Sequence, residues 1–171
     1  MSIDKFISRV WRVLSMFAFG ISLLFIYRGL PDPTAVHFGE TGRGDGFLPK
    51  EEIFYLTAAI VTILNVLGLL LIKSIEKIPR IYFGKLVKAF ASKGDLLIQQ
   101  IIVHWLHFLL ALINTYLILV FRVLLLLNDE RTNQADYSYL PKLGIVLFLV
   151  WMIYLPARLW SSSNFIDEDH A

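Results

Sequence analysis

LLIQQIIVHWLHFLLALINTYLILVF, residues 96–121, contains no Asp, Glu, Lys or Arg. A helix rises about 1.5 Å per residue, so about 20 apolar residues cross a hydrocarbon core of roughly 30 Å. This run exceeds that length, which predicts a membrane-spanning helix that is tilted or projects from the bilayer. Residues 13–27, 53–72 and 143–157 form three further runs of the same character. Arg12 and Arg28 flank the first and extend it by snorkelling their charges outward. A soluble domain does not carry 57% hydrophobic and 18% charged residues segregated in this way over 171 positions. The expected fold class is all-α: a polytopic integral membrane protein with four transmembrane helices in one domain.

The expected boundaries are a first span at 10–30, an outward cap loop at 31–52 and a second span at 53–73. An interfacial helix follows at 74–95, a third span at 96–127, an outward loop at 128–142, a fourth span at 143–160 and an acidic tail at 161–171. Arg9 and Arg12 before the first run resemble the start of a signal peptide. Tyr27, Arg28, Gly29 and Leu30 offer no small-residue cleavage site, so an uncleaved anchor is expected. The chain has no cysteine, which excludes disulfide and thiolate chemistry.

Charge sets the expected orientation. Lys5, Arg9 and Arg12 precede the first span, and Lys73, Lys77, Arg80, Lys85, Lys88 and Lys93 follow the second. The positive-inside rule then places both termini in the cytoplasm, and the 31–52 and 128–142 segments outside. Between the second and third spans, Ile75, Ile78, Tyr82, Leu86 and Phe90 recur at helical spacing. Lys77, Arg80, Lys85 and Lys88 occupy other positions. This pattern predicts an amphipathic helix on the cytoplasmic membrane surface, its basic face near anionic headgroups or a cytoplasmic partner.

Polar residues within the spans fall into stripes. Gln100, His104, His107, Ala111 and Asn114 lie on one face of the third helix. Ala58, Thr62, Asn65 and Gly68 form a stripe on the second, and Ser15, Ala18 and Ser22 on the first. Small and polar residues let membrane helices approach and bond, so the stripes are expected to face one another. Asn65 and His104 both fall on the order of 12 Å from the cytoplasmic ends of their helices. The expectation is one interior polar cluster of Ser22, Thr62, Asn65, His104 and His107. Interhelical hydrogen bonding is its bland reading. The functional alternative is a b-type haem, metal or quinone site, or a proton-responsive switch. Haem held by two histidines across helices wants them on two helices, and the spans supply histidines from the third alone. No intramembrane carboxylate or thiolate completes a familiar metal set, so no cofactor is expected.

The outward segment LPDPTAVHFGETGRGDGFLPK, residues 30–50, is rich in proline and glycine. Its prolines favour extended backbone before them, and Asp45-Gly46 is a turn signal, so a folded cap is expected. His37, Glu40 and Asp45 are possible metal ligands; a hydrogen-bonded His37 and Asp45 fixing the turn is the simpler reading. Gly42-Arg43-Gly44-Asp45-Gly46 lacks the Lys-Ser/Thr ending of a phosphate loop.

Leu30, Pro31, His37, Phe38, Gly42, Asp45, Gly46 and Lys50 resemble the signature of the bacterial membrane domain of unknown function found in SdpI-type immunity proteins. The resemblance covers roughly residues 10–72 and places the motif between the first two spans. Ala35 and Gly44 stand where that family usually has proline, and its C-terminal Gly-Ile-Arg-Thr-Pro-like stretch is absent. The resemblance implies a bacterial cytoplasmic membrane protein. Relatives of this type protect the producing cell from a secreted toxin and can hold a transcriptional repressor at the membrane.

The chain shows no nucleophile–base pair and no phosphate motif, so an enzyme is not expected. The expected function is a sensor, immunity-like or regulatory role. An accessory subunit of a larger membrane complex is the alternative, and a haem, quinone or transport module using His104 and His107 a second. Expected partners are the lipid bilayer and a protein in the membrane or at the cytoplasmic surface, with no nucleic acid.

Overall fold

The computed structural model describes residues 3–39, 42–79 and 95–167. In chain order these form α1 (Ile3–Gly29), a hairpin of β1 (Thr34–Phe38) and β2 (Gly44–Leu48), α2 (Lys50–Lys77), α3 (Asp95–Leu127) and α4 (Tyr139–Asp167). Among the described residues, four stretches are long and apolar enough to cross a membrane: Phe6–Gly29, Lys50–Lys77, Ile98–Leu127 and Tyr139–Trp160. The chain is thus mostly helical, as an all-α membrane protein requires. The cap between the first two spans adds a two-stranded antiparallel sheet.

The helices outrun the hydrophobic segments that nucleate them. α2 starts directly after Pro49, and Glu51 and Glu52 in its first turn suit the positive end of the helix dipole. It ends at Lys77 because Pro79 forces Ile78 into extended backbone, with ψ 131°. Residues 74–77, expected to open the interfacial helix, therefore belong to α2, while 80–94 lie outside the described residues. α4 begins at Tyr139 and continues to Asp167, so the first part of the expected acidic tail is helical. Pro156 is accommodated inside it. Membrane helices tolerate proline because neighbouring groups re-satisfy the freed carbonyl.

Cross-helix contacts fix the directions. Trp11 meets Phe108, and Phe19 meets Phe121, so α1 and α3 run parallel. Asn65 meets Asn114 and Gln99 meets Ile75, so α2 is antiparallel to α3. Trp151 meets Trp105 and Tyr116 meets Leu140, so α4 is antiparallel too. The N-terminus of α1, the C-terminus of α2, the start of α3 and the end of α4 consequently share one end of the bundle. The hairpin and residues 128–138 share the other.

α3 is the central helix, and α1, α2 and α4 each pack on it. The main apolar cluster joins Phe19, Leu23, Ile26 and Leu30 of the first helix and its end to Ile53 and Val61 of α2 and Phe121 of α3. A smaller one joins Ile72 to Val103 and Leu110. Leu24, Phe25, Leu67, Ile145 and Ile153 are exposed, as lipid-facing residues should be. Lipid is as apolar as these clusters, so water exclusion does little to hold the helices together. Close packing and interhelical hydrogen bonds must do it, which gives the buried polar groups their weight.

Candidate functional site

Among the described residues, α3 buries Gln99, His104, His107 and Asn114, α2 buries Asn65, and α1 buries Ser8 and Ser15. Asn65 and Asn114 form the centre of this seam. Asn65 Nδ2 donates to Asn114 Oδ1 at 2.9 Å, and Asn114 Nδ2 donates to Asn65 Oδ1 at 3.2 Å. Asn65 Nδ2 also donates to the Val61 carbonyl at 2.9 Å. Two nearly inaccessible amides thereby satisfy each other in a dry interface, where an unpaired amide is costly.

The five residues expected to cluster are not all together. Asn65, His104 and His107 are buried, Ser22 is half-buried, and Thr62 is exposed. Thr62 is one position, about 100° of helix, beyond Val61, and the buried stripe of α2 is Ile53, Val61, Asn65 and Ile72. Ser22 likewise flanks Leu23, whose bulk takes the seam position. Gln100 is exposed and its neighbour Gln99 is buried instead. Gln99 Nε2 donates to the carbonyls of Ile75 at 2.8 Å and Ile78 at 3.2 Å, joining the start of α3 to the end of α2. Ser15 donates to the Arg12 carbonyl on its own helix and so bonds no other helix through its hydroxyl hydrogen.

His107 is 4% exposed, and its Nδ1 has no hydrogen-bond partner among the described residues. Arg12 and Arg9 of α1 and His104 act on it electrostatically. Among the described residues, no group of three or more His, Cys, Asp or Glu side chains could hold a metal ion.

At the opposite end, the hairpin pairs Thr34 with Leu48, Ala35 with Phe47, His37 with Gly46 and Phe38 with Gly44. His37 Nδ1 and Asp45 Oδ1 hydrogen-bond across the strands. Gly42, at φ +74°, takes the left-handed turn between them, a conformation that side chains disfavour. Leu30 is buried against the helices, and the Pro31 carbonyl accepts the hydroxyl of the wholly buried Thr34 at 2.6 Å. Lys50 Nζ lies 5.4 Å from the centre of the Tyr27 ring, and the Lys50 amide donates to Asp32 Oδ1 at 3.4 Å. Of the basic interfacial face, Lys77 ends α2 and is exposed, while Arg80, Lys85 and Lys88 lie outside the described residues.

Two couplings were not legible in the stripes. Asn128 clamps the hairpin onto the end of α3: Ala35 N–H donates to its Oδ1 at 2.8 Å, and its Nδ2 donates to the Ala35 carbonyl at 2.9 Å and the Leu124 carbonyl at 2.9 Å. An asparagine just past a long apolar helix is a C-cap signal, but nothing in the sequence names Ala35 as its partner. Trp105 and Trp151 stack at 4.1 Å, and each indole N–H donates to the other's backbone carbonyl, at 2.8 and 3.0 Å. This reciprocal pair joins α3 and α4.

The described fold and its buried seam define a multi-pass membrane protein. No family model, curated protein or solved structure matches the chain.

Proposed function

We propose that this is a non-enzymatic bacterial cytoplasmic membrane protein with a sensor, immunity-like or regulatory role, its hairpin outside and both termini inside. The observation that carries the reading is the hairpin. It is fastened to α3 by Asn128, and the Lys50 amide at the start of α2 bonds Asp32 just ahead of it, yet it leaves Val36, His37, Phe47 and Leu48 exposed. A fixed platform with exposed apolar and polar side chains suits contact with an external ligand. The alternating helix directions and the basic residues gathered near the other end support the orientation. The resemblance of residues 30–50 to the SdpI-type signature supports the immunity-like role. Lys77, Arg80, Lys85 and Lys88 are then the basic face for the inner membrane surface or a cytoplasmic partner.

The test is deletion of the gene followed by challenge with secreted antibacterial peptides and envelope stress. Increased sensitivity, restored by the native protein and not by Phe47→Ser, is the expected result. Unchanged sensitivity under every challenge counts against the role. A second reading, an accessory subunit, is favoured by an apolar cavity of about 500 Å³ between α3 and α4, lined by Leu112, Tyr116, Gly144, Phe148 and Trp151 among others. Affinity purification in mild detergent separates the two readings, since a subunit brings its complex with it.

A further inference from the structure

The fourth helix does not start where the third one ends. Tyr116 Oη donates to the Leu140 carbonyl, one residue into α4, at 3.2 Å. From Tyr116, α3 runs on to Leu127, about 16 Å further along its axis. The Trp105–Trp151 stack and the packing of Leu159 on Ile98 keep the same register along the rest of α4, so the offset belongs to the whole helix. Residues 128–138, with Asp129, Glu130, Arg131 and Asp136, join the two levels. Polar, irregular backbone is not tolerated against lipid chains. The start of α4, rather than the end of α3, therefore sets the headgroup level on this side. Arg122, the one charged residue between Ile98 and Leu127, is exposed and stands above that level.

Directly below it lies the cavity of about 500 Å³ between α3 and α4. That volume is within the range of small-ligand pockets, roughly 300–1,000 Å³. Its lining on α4 runs from Pro141 to Trp151, about 15 Å. One leaflet of a hydrocarbon core of roughly 30 Å has the same depth. Ile145, Phe148 and Leu149 are exposed, so the cavity opens sideways into the bilayer. The Tyr116 hydroxyl and the Trp151 indole N–H both donate within the protein, to the carbonyls of Leu140 and Trp105. Neither calls for a polar ligand, and water lacks the partners it would need there. At the upper end Lys142, next to Pro141, is exposed and belongs to none of the ion pairs among the described residues, which are Arg9–Glu76, His37–Asp45 and Arg131–Asp129. Asp136 is a carboxylate on which its charge acts.

We propose that the α3–α4 cavity binds one phospholipid of the leaflet on the hairpin side. One acyl chain lies along the groove from Pro141 to Trp151. The phosphate sits at the mouth, where Lys142 supplies the opposite charge. An apolar slot one leaflet deep with a cation at its headgroup end complements both parts of that molecule.

The test uses the full chain in detergent, examined by native mass spectrometry with phosphatidylglycerol. The native protein should retain one lipid. Ile113→Phe, which fills the groove from α3, should lower retention about tenfold or more, since displacing even two methylenes costs that much. Lys142→Glu should lower it by about tenfold or more, the loss of one charged contact. Leu67→Phe, on the exposed face of α2, should retain the lipid as the native chain does. Unfolding in mixed micelles checks that each variant is folded. Should Ile113→Phe fail that check, Leu149→Phe, exposed on α4, takes its place. No lipid on the native protein, or native-like retention by a folded groove variant or by Lys142→Glu, overturns the proposal. Equal loss in Leu67→Phe overturns it too, because the lipid is then not held in the groove. So does a polypeptide that co-purifies from native membrane and is released by the groove variant, which assigns the cavity to a partner helix.

Discussion

Replacing the two central asparagines separates their contribution from the packing around them. Asn65 and Asn114 exchange two hydrogen bonds, at 2.9 and 3.2 Å, in an interface inaccessible to water. Interhelical hydrogen bonds in membrane proteins average about 0.6 kcal/mol and reach about 1.7. The reciprocal pair is therefore expected to couple by roughly 1–2 kcal/mol. The two single replacements should differ. In Asn114→Leu, the Asn65 amide group keeps the Val61 carbonyl, and only its Oδ1 is left without a donor. In Asn65→Leu, Asn114 loses both of its amide partners, so this variant should be the less stable by about one hydrogen bond, roughly 0.5–1 kcal/mol. The double variant has leucine on both sides and no orphan, and should recover part of the loss. Unfolding in mixed micelles with increasing denaturing detergent, followed by tryptophan fluorescence, supplies the four stabilities. Coupling below about 0.3 kcal/mol, or Asn114→Leu less stable than Asn65→Leu, would refute the argument.

Three other outcomes follow from particular contacts. Asn128→Ala removes the hydrogen bonds that hold Ala35 to α3, and amide exchange at Ala35 should accelerate by about tenfold or more while the core of α3 is unchanged. Gly144→Ala places a Cβ 2.7 Å from the Tyr116 ring, so it should loosen the α3–α4 contact by about 1–3 kcal/mol in the same unfolding assay. Gly20→Ala meets nothing within 4 Å and should be near neutral. Asp129 and Asp136 accept backbone N–H bonds from Arg131 and Ser138, which hold both carboxyls below their ordinary 3.8. A depressed folded-state pKa favours the loop above that ordinary value, and the contribution disappears as pH falls through the lower folded value. Protection of the Arg131 and Ser138 amides, measured as exchange relative to the intrinsic rate at each pH, should therefore hold at neutral pH and diminish as the medium is acidified below about 4, the ordinary carboxyl range.

Length and hydropathy alone determine the four spans, because a bilayer demands about 20 apolar residues in a form that satisfies its own backbone, and only a helix does so within one segment. The same reading finds Asn65, His104 and His107 as interior groups, since polar side chains at helical spacing have few alternatives to facing protein. Periodicity gives a face only to within one residue on either side. It therefore could not decide between Gln99 and Gln100, or see that Val61 rather than Thr62 and Leu23 rather than Ser22 would fill the seam. That choice belongs to the shapes of the facing helices. Proline and glycine spacing likewise indicate a folded cap, but its pairing as a hairpin and its attachment through Asn128 to Ala35 join residues 93 positions apart. Nothing local encodes such a contact. Arg12 reads in sequence as a charge that could snorkel outward. Only the packing of α1 against α3 shows its Nε buried at the level of His107, because burial is a property of two helices together and not of either one.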